Sequence, residues 1–187
     1  LCPGRHNIQV ERLESARLLM IWSGAAASDQ CRVIGADLAT TLLGEGRRSR
    51  LVARLREELQ IAETVDMDLT SLEMGSLITL EISCNPTHLD AVETCIQDQL
   101  TSVELFTPME LERGRQLVGN GLRYSLESSA QVASMAASHR LWGREQTLLD
   151  PLTHLRSWSS ERLQAELMQQ LHPSRACTLI AIPGSRN

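Results

Sequence analysis

The chain has 187 residues, enough to organise one hydrophobic core without splitting into two. Hydrophobic residues make up 42% and charged residues 22%, the balance of a chain that folds rather than staying disordered. The net charge of -5, with aromatics at 3%, argues against nucleic acid as a partner, because phosphates call for a basic surface and bases for stacking platforms.

Residues 8–13 and 16–23 read as extended segments, and Leu18, Leu19, Met20, Ile21 and Trp22 make the second apolar enough for a buried strand that stops at Gly24. Ile34, Leu38 and Leu42 then recur every fourth residue, as one face of a helix over 29–43 requires. Gly44 and Gly46 end it. A second helix over 49–59 places Leu51, Val52, Leu55 and Leu59 on one face. The period changes to two over 62–69 and again over 77–84, with Gly75 at the reversal, which predicts an antiparallel hairpin. Asn85 and Pro86 close the hairpin. Thr87 and Asp90 resemble a capping box for a helix burying Leu89, Val92, Ile96, Leu100 and Val103.

Thr107, Pro108 and Glu110 supply an N-cap, a first-turn proline and an acidic third position for a helix reaching 126. Gly114, Gly119 and Gly121 inside it call for close packing or a bend. An Ala-rich helix over 129–142 follows, then a short one opened by Asp150 and Pro151. A last helix is capped by Ser159, with Leu163, Leu167 and Leu171 in line, and residues 177–182 form a closing strand that must return to the sheet. The order predicts an α+β fold, a mostly antiparallel sheet with helices over one face.

Cys2, Cys31, Cys84, Cys95 and Cys177 are odd in number and lack CxxC spacing, which speaks against a disulfide framework and a thiolate metal site and favours a reducing compartment, the cytoplasm by expectation. No apolar run approaches the roughly 20 residues of a membrane span, so no membrane partner is expected. The start at Leu1 suggests a fragment of a longer protein.

His6, His88, His139, His154 and His172 stand in neither HExxH nor HxxEH spacing, so a zinc site with a catalytic Glu is not predicted. His139 is read as a packed or surface histidine. No GxSxG, GxxxxGK[ST] or GxGxxG run occurs. Gly44 to Ser49 could hold an anion through backbone amides and arginines, but a tight turn between helices is the simpler expectation. All 18 basic residues other than histidine are Arg. Within the run from Arg47 to Arg56, Arg50 and Arg54 flank the apolar stripe from its polar side. Arg56 follows Val52 by four and precedes Leu59 by three, at the edge of the stripe, so its head should be partly buried or held by a partner, with a salt bridge inside the domain, such as to a carboxylate of the hairpin, the simpler expectation.

Leu43 to Leu51 (LGEGRRSRL), followed by Leu55-Arg56-Glu57, resembles the LGxGxxSRL…LRE signature of the C-terminal half-domains of M16 zinc peptidases, the pitrilysin, insulinase and mitochondrial processing peptidase group. Thr107 to Arg115 (TPMELERGR) is similar to that family's T-x-x-E-L-x-R-x-K helix start, and the segments 125–143 and 158–184 resemble its closing helix-strand pattern. The resemblance implies the fold of LuxS/MPP-like metallohydrolase half-domains and a single non-zinc domain over 1–187. It also implies a parent processing protease in which similar half-domains clamp around a peptide substrate. Zinc would then sit on an HxxEH-bearing half-domain, in the same chain or in a homo- or heterodimer partner. This chain would supply chamber wall and no catalytic residue.

Many members carry an Arg, and a Tyr seven residues later, that hold substrate or transition state. Arg56 matches the Arg, while Glu63 stands in place of the Tyr. An ionised carboxylate cannot donate the hydrogen bond a phenol gives and repels a developing oxyanion. Two readings follow: the Arg-Tyr pair is supplied by another chain, or the half-domain persists as a scaffold, as in core subunits of a respiratory complex. A generic α+β ligand-binding module is a third.

Overall fold

The computed structural model describes residues 1–144 and 147–184. Among these residues five strands form one sheet: β1 (Gly4–Val10), β2 (Ala16–Gly24), β3 (Thr64–Leu72), β4 (Gly75–Cys84) and β5 (Cys177–Pro183), in the spatial order β1-β5-β2-β4-β3. Only β1 and β5 run parallel; the β5-β2, β2-β4 and β4-β3 ladders are antiparallel. The alternation in the sequence sets the faces. Ala16, Leu18, Met20 and Trp22 of β2, Ile78, Leu80 and Ile82 of β4, Val65 of β3 and Ile180 of β5 all point into the core. Their neighbours along each strand face away from the helices.

The helices are α1 (Gln30–Gly44), α2 (Arg50–Val52), α3 (Leu89–Thr101), α4 (Pro108–Glu127), α5 (Ser129–Leu141), α6 (Asp150–Ser157) and α7 (Ser160–Arg162). Asp29 caps α1 by accepting from the Arg32 amide. α1 lies between the sheet and the pair α4 and α6, so it is buried around nearly its whole circumference and carries Thr40 and Thr41 inside the protein. Thr40 there donates to the Asp37 carbonyl. Close packing explains two helical glycines. A Cβ at Gly114 would press on Leu38 and Leu42 of α1, and one at Gly35 would enter the ring of Trp158, which is 0% exposed. Gly121 meets no such neighbour, so the glycines of α4 do not share one role.

The N-cap predicted at Thr107 forms, and the structure shows that Glu110 closes it into a capping box: the Thr107 side chain accepts from the Glu110 amide while the Glu110 carboxylate accepts from the Thr107 amide. Other expectations need correction. β1 begins four residues earlier than the sequence indicates, and Leu13 already closes a turn onto the Val10 carbonyl. Thr87 does not cap α3; Asn85 accepts from the Thr87 amide and opens a 3-10 turn, Pro86–His88, that leads into the helix. Val103 lies past the end of α3 and is 87% exposed. The helix over 49–59 is regular only across α2 and then widens into a π-helical turn, Ala53–Glu58, with the Leu59 amide reaching back five residues to Arg54. α7 widens in the same way over Leu163–Met168.

Candidate functional site

The turn joining α1 to α2 is built by Gly46, in a left-handed conformation at φ 76°, and by Ser49, whose hydroxyl and amide both donate to the Gly46 carbonyl at 2.7 and 3.1 Å. This is the tight turn, with its backbone bonding inward. Arg47 reaches past it to Glu57, 3.1 Å away.

Six residues apart, Arg50 and Arg56 have different surroundings. Arg50, expected on the polar side, is 14% exposed. Its Nε and Nη2 donate to the two carboxylate oxygens of Glu110 at 2.8 and 3.1 Å, and its terminal nitrogens reach the Glu104 and Leu105 carbonyls at 3.1 and 2.8 Å. The guanidinium also stacks 4.2 Å from the centre of the Phe106 ring. Burial works to raise the Glu110 carboxyl, but hydrogen bonds from Arg50 and from the Thr107 amide and hydroxyl outweigh it and hold it down at about 2. The Arg50-Glu110 pair thus fastens α2 to the first turn of α4. Sequence periodicity missed it because the partner lies 60 residues away on another element.

Arg56, in the π-helical turn, is 38% exposed and its Nε donates to Glu57 at 3.0 Å. The carboxylate that holds it comes from the next residue of its own helix and not from the hairpin. Glu57 accepts from both Arg47 and Arg56, and these bonds lower its carboxyl from the ordinary value. Beyond the turn, Gln60 adopts a left-handed φ of 53°, and the amides of Ile61 and Ala62 both donate to the Leu55 carbonyl, swinging the chain into β3. Glu63 stands at that entry. Its carboxylate accepts from the Ser15 hydroxyl at 2.8 and 3.0 Å and from the Ser83 hydroxyl at 3.4 Å, tying the β1-β2 loop to the hairpin. Arg56 and Glu63 have separate partners.

A second carboxylate group was not singled out from the sequence. Asp37, Glu45, Asp66 and Asp68 line a cleft of about 430 Å³ between the end of α1 and β3. Burial first, then the charges of Glu45 and Asp68, raise the Asp37 carboxyl to about 6. The strand period puts Asp66 and Asp68 on the face away from the helices, and it is the place of β3 at the sheet edge, beside α1, that lets them share a cleft with Asp37 and Glu45.

For zinc, the donor set does not fit: among the described residues no three or more His, Cys, Asp or Glu side chains converge to hold a metal ion. His139 is packed against Gln30, with 3.2 Å between its Nε2 and the amide nitrogen.

Residues 2–118 match the family described as the peptidase M16 inactive domain, and the chain belongs to that family. A curated relative, the uncharacterized zinc protease YmxG of Bacillus subtilis (strain 168), is 24% identical over 175 residues, covering 92% of this chain and 42% of its own. Two solved structures share the fold. A protease from Helicobacter pylori superposes with a TM-score of 0.81 at 17% identity, over 96% of this chain and 44% of that one. The inactive peptidase domain from Bordetella parapertussis also gives 0.81, at 20% identity, over 95% and 96% of the two chains. The chain therefore spans less than half the length of YmxG and of the Helicobacter protease, and nearly all of an inactive domain. The M16 C-terminal half-domain and the α+β fold expected from the sequence are both borne out.

Proposed function

We propose that this chain is the non-zinc half-domain of an M16-type metalloendopeptidase, forming part of a chamber wall while peptide hydrolysis is carried out with zinc held by an HxxEH-bearing half-domain. The observation that carries this reading is the one-sided sheet. Helices cover one face, and the other presents Leu19, Ile21, Leu77, Leu179 and Ala181 half-exposed, with Asp66, Asp68 and Glu81 toward the β3 edge. An extended peptide can lie against such a face. Zinc, when bound on the companion half, would supply Lewis-acid activation of water for peptide hydrolysis; the residues here would position and enclose.

Within this reading Arg56 is the substrate-holding group. Its Nε is anchored by Glu57 while the guanidinium stays accessible, and π-helical turns recur at functional sites. Glu63 does not complete an Arg-Tyr pair, since its carboxylate only accepts hydrogen bonds and is engaged by two serines. That same replacement favours a second reading, a scaffold in which the fold is kept without proteolysis.

The test is to assay a quenched peptide with the chain alone, with an HxxEH-bearing M16 half-domain alone, and with both. Zinc-dependent turnover only in the combined sample is the expected result. Turnover by this chain alone, or full activity of the zinc half without it, would overturn the proposal. Glu63→Tyr in the zinc-loaded combination then separates the readings: cleavage gained or raised supports a substrate-facing site, while no cleavage with either residue supports the scaffold.

A further inference from the structure

The two edges of the sheet differ. β3, at one edge, carries Asp66 and Asp68, so pairing this strand with a second copy of itself would set carboxylates against carboxylates. β1, at the other edge, carries no acidic residue, proline or lysine, and all seven of its residues are exposed. Its ladder with β5 fixes which backbone groups point outward. The Gly4 amide donates to the Ala176 carbonyl, and the Val10 carbonyl accepts from the Gly184 amide. In a parallel pairing of this register, Gly4, His6, Ile8 and Val10 direct their N–H and C=O groups to β5, whereas Arg5, Asn7 and Gln9 direct theirs away from the sheet.

These three residues are spaced by two and centred on Asn7, which makes the edge self-complementary. If a second β1 is laid antiparallel on a two-fold axis through Asn7, Asn7 faces Asn7 and Arg5 faces Gln9 as hydrogen-bonded pairs. Every outward amide and carbonyl of the three residues then finds a partner. His6 faces Ile8 in the non-hydrogen-bonded pairs between them, so no like charges are opposed. On the open face, Ile8 and Val10, 44% and 37% exposed, continue the apolar surface of Leu179, Ala181 and Leu19 up to the edge. The pairing would join the two patches into one.

We propose that β1 is a self-association edge: two copies of this chain pair antiparallel through Gly4–Val10, joining their sheets into one of ten strands. The inference is independent of the peptidase reading, since it uses neither zinc nor Arg56. A strand from a different protein is the competing occupant.

The 187-residue chain is followed by sedimentation velocity across a concentration series, and by residue-resolved amide exchange at the lowest and highest concentrations. The expected result is a shift from monomer to dimer mass, with the Arg5, Asn7 and Gln9 amides gaining at least tenfold protection while His6 and Ile8, bonded to β5, stay equally protected throughout. Asn7→Asp places two carboxylates on the axis and should abolish the dimer at pH 7 and restore it at pH 3. Thermal melting of this exposed-site variant at low concentration checks that it folds, and the exchange measurement needs no variant. A chain that remains monomeric at millimolar concentration, a dimer in which Arg5, Asn7 and Gln9 exchange as in the monomer, or a dimer indifferent to Asn7→Asp at pH 7 would each overturn the proposal.

Discussion

The seam where α2 meets α4 and the π-helical turn just beyond it are made from the same helical segment and the same residue types, yet one is closed and the other open. Arg50 is enclosed by Glu110, two carbonyls and Phe106, all brought from residues 104–110. Among the described residues Arg56 is paired with the carboxylate next to it in sequence, Glu57. The difference lies in what packs outside the helix. A cation covered by a distant element contributes to stability because its removal strands a half-buried carboxylate, whereas an exposed pair contributes little. Arg50 is therefore a structural residue, and Arg56 is available for other work.

Substitutions can break or sharpen this contrast. The largest effect is expected at Trp158, which is fully buried against α1 and donates its indole N–H to the Cys31 carbonyl at 3.0 Å. Trp158→Ala should cost about 3–5 kcal/mol in urea unfolding. Arg50→Ala comes next, at about 1.5–3 kcal/mol, reduced by the partial exposure of the pair. Its signature is the pH profile. Because the Glu110 carboxyl is lowered in the folded protein, the stabilisation is present above the ordinary carboxylate value near 4.5 and is lost as the pH falls toward about 2. Unfolding measured between pH 6 and pH 2 should show that loss in the parent chain and a flatter curve in Arg50→Ala.

The acidic cleft has the opposite sign. Asp37 is raised to about 6, so the folded chain holds its proton more tightly than the unfolded chain. The associated stability is full below the unfolded value near 4 and declines as the pH rises through 6. Asp37→Asn should thus be more stable than the parent by about 1–2 kcal/mol at pH 8 and about equal at pH 4, as read by chemical denaturation at both. Smallest in stability is Arg56→Ala, within about 0.5 kcal/mol of the parent. If Arg56 holds substrate, the same change should lower peptide cleavage by the zinc-loaded combination roughly tenfold, the weight of one hydrogen bond to a charged group. Equal cleavage would assign Arg56 to the surface ion pair alone.

Much of the fold was legible because its signals are local. The Thr107-Glu110 capping box, the four-residue spacing of Ile34, Leu38 and Leu42, and the alternation through β3 and β4 each specify an element from within one short window. The candidate site was legible only in part. The resemblance located Arg56 and Glu63, but not their partners, and periodicity gave no sign that Arg50 is covered, because its neighbours come from residues 104–110. The expected cap at Thr87 failed because Asn85, two residues earlier, offers its own side chain to the Thr87 amide and starts a 3-10 turn first.

The amino-acid sequence by itself determined the class of elements, their order and the absence of HxxEH spacing, since these depend on hydrophobic period, caps and residue identity along the chain. Tertiary structure alone decided that β5 inserts between β1 and β2, that helix 49–59 relaxes into a π-helical turn, and that four carboxylates share one cleft. It also decided which arginine is buried. Each of these turns on contacts between residues far apart in sequence, where burial and charge depend on what packs across the gap.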